Sequence, residues 1–144
     1  MTTDETRQLA TQFIETLTTG RVDEALGLFA EDARWHLLGH AEEFSLARPY
    51  RIHEVSQLMA VLAAAVTHGH YSRIENIIAD GNRAAIELHV GGKTPDNRTY
   101  DNHVAFHLDV HAGKIAYMRE YVDTHHLKWI VEGTDAVEHR SSNS

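Results

Sequence analysis

The chain has 144 residues, no cysteine and a net charge of −8 from 21 acidic and 13 basic residues. This length predicts one domain, and the missing cysteine excludes disulfides and thiolate metal sites. The acidic balance argues against binding to nucleic-acid phosphates, and no apolar run approaches the roughly 20 residues that span a membrane. The polar start MTTDETRQ does not resemble a signal peptide. We therefore expect a cytoplasmic protein with neither a nucleic-acid nor a membrane partner.

The first half of the chain predicts mainly helices. Apolar residues at helical spacing predict helices over residues 3–19, 22–30 and 53–68. A strand containing Trp35 is expected at residues 33–38. It is followed by the long loop Gly39–Ile52, and loops of this length often form a lid or a rim.

The second half predicts antiparallel strands. They are expected over residues 70–79, 84–90, 98–111 and 115–122, and Asp80-Gly81 is a strong hairpin signal. A final helix is predicted from Thr124 to about Glu132. The domain would then span residues 1–133, and residues 134–144 would form a polar tail. Strands grouped by hairpins indicate an α+β fold, with a curved sheet round the helices and a conical cavity between them.

Three segments together carry a family resemblance: FIETLTTGRVDEALGLFAEDARW (13–35), LARPYRIHEV (46–55) and YDNHVAFHLDVHAGKIAYMREYVDTHHL (100–127). They resemble the SnoaL-like, ketosteroid-isomerase-like branch of the nuclear-transport-factor-two-like superfamily. The resemblance implies a cone-shaped α+β fold of the cystatin-like type, and a homodimer formed through the outer face of its mixed sheet. Members of the superfamily include isomerases, epoxide hydrolases, polyketide cyclases and non-catalytic binding domains, so the fold alone does not give the function.

The family's strand register implies which side chains face the cavity, because side chains alternate between the two faces of a strand. Counting along the 84–90 strand from the Asp80-Gly81 turn predicts that Glu87 and His89 also face the cavity. A one-residue error there would instead turn Ile86, Leu88 and Val90 inward. The predicted substrate-binding residues are Trp35, Met59, Leu62, Glu87, Tyr100, Asn102, Phe106 and Met118.

Glu120 and His89 are the predicted catalytic residues. A carboxylate surrounded by apolar side chains has a raised pKa, which suits a general base near neutral pH. His89 would be its partner or a proton shuttle, and Asn102 would orient a carbonyl group or a water molecule. Two simpler interpretations stay open: Glu120 in a structural ion pair with Arg or Lys, and Asn102 bonded only to the backbone.

The resemblance does not extend to two known chemistries of the superfamily. By position, Glu87, His89 and Glu120 stand where limonene epoxide hydrolase carries Arg, Asp and Asp, and Trp35 and Leu37 replace its Tyr and Asn. Ketosteroid isomerase carries a Tyr and an Asp base where this chain has Phe13 and approximately Leu37. Neither mechanism is therefore expected. A cyclase of the SnoaL type needs only an acid and base pair beside a flat apolar cavity.

The histidines do not predict a metal site. His103, His107 and His111 share one strand face, but residues four apart on a strand are roughly 13 Å apart. His89 and His103 would cluster only if their strands turned the same way, and the predicted register places them on opposite faces. We expect no metal and no cofactor.

The residues favour a cofactor-free isomerase, cyclase or lyase that uses Glu120 for proton transfer on an apolar or polyketide-like substrate. The alternatives are a non-catalytic binding protein for small ligands and a dimeric accessory module of the same fold.

Overall fold

The computed structural model describes residues 1–142, with side chains described for residues 1–133. The helices are α1 (Thr3–Thr18), α2 (Val22–Leu26), α3 (Val55–Ala65) and α4 (Thr124–Ser142). The strands are β1 (Phe29–Leu37), β2 (Pro49–Arg51), β3 (His68–Asp80), β4 (Arg83–Lys93), β5 (Thr99–His111) and β6 (Lys114–Val122). In the described part of the chain, no helix is both long enough and apolar enough to cross a membrane.

The first helix begins as its sequence predicts. The Glu5 backbone N–H donates to the Thr2 hydroxyl at 3.1 Å, and the Thr2 N–H donates to the Glu5 carboxylate at 3.2 Å. This reciprocal pair satisfies two backbone donors that a helix start leaves free. The apolar stripe of α1 is buried and includes Phe13 and Ile14, both 0% exposed. The cap and the stripe together orient α1 against the sheet.

All six strands form one sheet in the order β2-β1-β6-β5-β4-β3. The β1–β6 pair is parallel, and the other four pairs are antiparallel. The sheet is therefore mixed, and the predicted α+β class is confirmed. We call the side of the sheet that packs against α1 and α3 the inner face, and the opposite side the outer face.

Pairing within the sheet overrides local helix propensity between residues 27 and 37. The second helix was predicted to reach residue 30, but it ends at Leu26 and β1 begins at Phe29. The Ile115 N–H donates to the Leu28 carbonyl at 2.9 Å, and Phe29 pairs with Ile115. These long-range bonds stabilise an extended chain where local spacing favours a helix.

Two other parts of the chain also differ from the prediction: residues 39–54 and the residues after 124. The predicted loop Gly39–Ile52 contains the short edge strand β2. The last helix continues past the expected Glu132 to Ser142, through most of the expected tail. Residues 143 and 144 of that tail lie outside the described residues.

Candidate functional site

The pairing of strands determines which residues face inward. In an antiparallel pair, directly opposed residues project to the same face of the sheet. Phe106 lies opposite both Glu120 on β6 and Ile86 on β4. Glu120 also pairs with Leu37 of β1. This row crosses four strands on the inner face and places one carboxylate among three apolar side chains.

A cavity of about 320 Å³ lies between the inner face and the helices. Its lining is mostly apolar, and the polar side chains in it are few, which is the usual composition of a small-molecule site. The lining residues are Leu17, Thr18, Trp35, Met59, Leu62, Ala63, Val66, His70, Ser72, Leu88, Val90, Tyr100, Val104, Phe106, Glu120 and Leu127.

Glu120 is the buried carboxylate of this cavity. Its side chain is 8% exposed, and burial raises its pKa from the ordinary 4.5 to about 7. The hydrogen bond from Trp35 acts in the opposite direction and lowers this pKa, but burial is the larger effect. Among residues 1–133, no cationic side chain forms a salt bridge with Glu120, so the ion-pair interpretation finds no partner. At neutral pH the carboxyl group is therefore close to half ionised.

Trp35 holds Glu120 in position. Its indole Nε1–H donates to Glu120 Oε1 at 2.8 Å. The ring is 0% exposed and packs edge-to-face on Phe13 and Phe106, with centroids 5.9 and 5.4 Å apart. Edge-to-face pairs of this kind stabilise one orientation of the ring, in addition to the stabilisation that comes from its burial. The donor is thus fixed by packing, and so is the carboxylate oxygen that it contacts.

Tyr100 and Asn102 lie on β5, and both are buried. Burial raises the pKa of Tyr100 to about 12, so its phenol stays neutral and able to donate a hydrogen bond. Asn102 is 3% exposed, but its amide is largely used on the backbone. Its Nδ2 donates to the Asp123 carbonyl at 3.2 Å, and its Oδ1 accepts from the His103 N–H at 3.0 Å. The backbone interpretation of Asn102 is the one that these contacts support.

Residues 10–118 match the family of SnoaL-like domains. The match covers well over half of the chain. This chain belongs to the SnoaL-like domain family. Among curated proteins, none matches its sequence.

Solved structures share the fold of this SnoaL-like domain. An NTF2-like protein from Burkholderia xenovorans LB400 has 24% identity and a TM-score of 0.69, over 91% of this chain and 98% of that chain. PrhC from Penicillium brasilianum NBRC 6234 has 16% identity and a TM-score of 0.76, over 96% and 93%. TerC, crystallised with polyporic acid, has 12% identity and a TM-score of 0.74, over 89% and 98%. At these identities the similarity shows the fold alone.

Six of the ten predicted site residues line the cavity of the SnoaL-like domain: Trp35, Met59, Leu62, Tyr100, Phe106 and Glu120. Met118 is also on the inner face and 0% exposed, but it lies beneath the lining, between Trp35 and Leu108. Asn102 is also buried but is not among the lining residues. The remaining two residues, Glu87 and His89, lie on the outer face of the sheet.

The prediction that Glu87 and His89 face the cavity was wrong. Ile86 and Leu88 occupy the inner face instead, because they pair with Phe106 and Val104 of β5. Burying this apolar half of β4 is worth about 25 cal/mol per Å² of apolar surface, whereas a carboxylate turned inward would lose its hydration. Glu87 is exposed on the outer face and accepts a hydrogen bond from Asn76 at 3.3 Å.

The same correction applies to the histidines. His89 and His103 are directly opposite on β4 and β5, and their rings stack with centroids 4.5 Å apart. The predicted register had separated them onto opposite faces. Because both side chains project outward, they meet on the outer face, outside the cavity.

Three polar lining residues were missed: Thr18 at the end of α1, and His70 and Ser72 on β3. For the two on β3, the available signal is alternation. They share the parity of Ile74, which pairs with the inward Leu88. Beyond Ile74 the register shifts before Asn76, so alternation counted from the Asp80-Gly81 turn changes face at this point. Residues 70, 72 and 74 alternate and therefore share one face of the strand. Because of the irregularity, the sequence does not show that this face is the inner one.

Proposed function

We propose that this SnoaL-like domain binds one small, largely apolar molecule in the cavity and transfers a proton with Glu120, in a cofactor-free isomerase, cyclase or lyase type of reaction. The observation that carries the proposal is a buried cavity carboxyl group whose pKa is about 7. A general base works best when its pKa lies near the working pH. The superfamily's cyclases and isomerases, and a structural neighbour crystallised with a small ligand, agree with such a role.

The proposed chemistry requires few groups. Ionised Glu120 removes a proton from a carbon next to a carbonyl group of the substrate, and the C–H electrons move into an enolate. Trp35 holds Oε1 by its hydrogen bond, so Oε2 is the oxygen that faces the substrate. The neutral phenol of Tyr100 donates a hydrogen bond to the enolate oxygen. Glu120 then returns the proton to another carbon, which completes an isomerisation without a redox change.

A non-catalytic binding role is the alternative that one observation favours. His89 lies on the outer face, and Asn102 is bonded to the backbone, so the two expected partners of Glu120 are not available in the cavity. In a binding protein, the Glu120 carboxyl group would only accept or donate a hydrogen bond to the ligand.

Deuterium exchange distinguishes the two roles. A panel of cyclic ketones and aromatic polyketide fragments is incubated with the protein in D₂O, and loss of C–H signals is followed by ¹H NMR. The enzyme role predicts exchange at carbons next to a carbonyl group, well above that in buffer. Substituting Leu62→Trp, which fills the cavity, should abolish both exchange and binding. Panel members that bind without exchange in the wild-type protein would support the binding role.

Removing the Trp35 donor should move the pH dependence of exchange. The hydrogen bond lowers the pKa of Glu120, so Trp35→Phe raises this pKa above about 7. The base is active when ionised, and the half-maximal rate should therefore shift to higher pH. Phe29→Leu is the matched control, because Phe29 stacks on Trp35 at 6.0 Å without bonding to Glu120. An unchanged profile in Trp35→Phe would show that this bond does not tune the base.

We also propose that two copies associate through their outer faces. Two large hydrophobic residues are exposed there, Ile78 at 56% and Tyr121 at 45%. Exposed apolar groups on a sheet face are typical of an interface between subunits.

The dimer is tested by sedimentation velocity. Ile78→Lys should convert the dimer to monomer at micromolar concentration, because a Lys ammonium cannot be buried without a partner. Val61→Lys is the control, since Val61 is 37% exposed on α3, away from the outer face. A wild-type protein that sediments as a monomer would reject the proposal.

A further inference from the structure

Three side chains meet on the outer face where β3, β4 and β5 lie side by side: Glu75, His89 and His103. The two imidazole rings are parallel within 11°, with centroids 4.5 Å apart. Glu75 Oε1 lies 3.1 Å from His103 Nδ1. One ligating atom from each residue lies within 4.8 Å of the other two. None of these residues takes part in the proposed cavity chemistry.

Glu75 lies at a β-bulge of β3. The register of β3 against β4 shifts between Ile74 and Asn76, which leaves Glu75 as the extra residue. A bulge bends the strand and redirects a side chain, and such bulges are frequent beside functional sites. Alternation from the inward Ile74 already turns Glu75 outward, and the bulge places Asn76 on the same face, where it pairs with Glu87.

We propose that Glu75, His89 and His103 bind a divalent transition-metal ion, with Zn²⁺ as the ion of choice. Two imidazole nitrogens and one carboxylate oxygen form the ligand set that borderline ions of this type prefer. In a tetrahedral site with bonds of about 2.0–2.1 Å, ligand atoms are roughly 3.3 Å apart. The Glu75–His103 separation of 3.1 Å is close to this value, and only His89 would have to move inward, since the three ligand atoms lie within 4.8 Å of one another.

A second carboxylate supports the site. Asp101 Oδ1 lies 2.5 Å from His89 Nε2, within hydrogen-bond distance. A carboxylate on one imidazole nitrogen orients the ring and makes the other nitrogen a better metal ligand. In this arrangement Nδ1 of His89 binds the metal, while Asp101 holds Nε2–H.

Arg73 is the group that opposes a cation here. Its Nη2 lies 3.4 Å from His89 Nδ1, at the position that the metal would take. Its guanidinium also stacks over Tyr71, 4.9 Å from the ring centroid. This cation–π contact can hold the guanidinium when a metal takes its place beside His89. The carboxylates of Glu75, Asp101 and Glu87 outnumber it locally, and the sign of the local charge therefore favours a cation.

The site has room for further ligands. A hollow of about 320 Å³ lies beside it on the outer face, and Glu75 and His103 are part of its lining. Three protein ligands and an open side leave at least one position for water or for a donor from another molecule. A metal here would connect three consecutive strands.

Metal binding is measured on the full-length protein in its native assembly. Zn²⁺ is titrated against a chromophoric chelator, and Co²⁺ absorption reports the coordination geometry. We expect one Zn²⁺ per chain with a Kd in the micromolar range, a tetrahedral Co²⁺ spectrum, and no comparable binding of Mg²⁺ or Ca²⁺. At a hundredfold excess over Kd, Zn²⁺ should raise the Tm by about 5 °C or more. Absence of saturable Zn²⁺ binding up to millimolar concentration overturns the proposal.

Matched variants locate the ion. His103→Ala should weaken Zn²⁺ binding at least tenfold without unfolding the domain, since the His103 side chain is 71% exposed. His107→Ala, on the same face of β5 but outside the group, should bind as the wild type does. Arg73→Gln should tighten binding several-fold, because it removes the competing cation. Binding that is unaffected by His103→Ala places the ion elsewhere and rejects this site.

Discussion

Glu120→Gln should lower the rate of deuterium exchange by a factor of about 10²–10⁴, the usual contribution of a general base. The amide has nearly the shape of the carboxyl group and still accepts the Trp35 hydrogen bond, but it cannot take a proton from carbon. Ligand affinity should therefore stay within a few-fold of the wild-type value. The wild-type rate should rise with pH and level off above about pH 7, the pKa of Glu120.

Glu87→Gln is the matched control for this experiment. It makes the same change of charge on a carboxylate that lies on the outer face, and exchange should be unaffected. Exchange that survives Glu120→Gln would remove Glu120 from the mechanism. Loss of ligand binding together with exchange would instead assign Glu120 to ligand recognition.

The same substitution should stabilise the fold above about pH 4.5, with the full effect at neutral and alkaline pH. Burial raises the pKa of Glu120 from 4.5 to about 7, so the unfolded chain releases this proton at a lower pH than the folded one. Below pH 4.5 both states hold the proton, and the carboxyl group costs nothing. Between pH 4.5 and 7 the stability of the wild type falls as pH rises, and above about pH 7 the full cost remains. That cost is roughly 3 kcal/mol at most.

Chemical denaturation at several pH values measures this effect. The free energy of unfolding of Glu120→Gln should exceed that of the wild type by up to about 3 kcal/mol at pH 8, and the two should converge near pH 4. Glu87→Gln again serves as the control and should show no such divergence. A difference that does not change with pH would mean that Glu120 is not held in a buried, poorly solvated state. Groups that an active site needs often lower the stability of the fold, so a variant of such a group is expected to be both more stable and inactive.

The inward residues of β5 and β6 could be predicted because the family's strand register applies to these two strands. Tyr100, Phe106 and Glu120 all line the cavity as expected. In β4 the alternation is ambiguous, since Glu87 and His89 alternate with Ile86 and Leu88, and a count from one turn does not determine the face. Pairing with β5 decides it, because only one choice buries the apolar half of the strand.

Periodicity alone was enough to predict the α+β architecture, and the resemblance of three segments indicated the family and the position of one cavity carboxyl group. Which side chains meet depends on the tertiary structure. Trp35 and Glu120 are 85 residues apart in the chain, and the parallel pairing of β1 with β6 brings them to 2.8 Å. His89 and His103 meet on the outer face because they are directly opposed on β4 and β5, and Glu75 of the neighbouring β3 lies beside them. A local pattern predicts the face on which a residue lies only when its strand is regular. Contacts between strands depend instead on how the strands pair, and the pairing minimises the exposed apolar surface of the whole sheet.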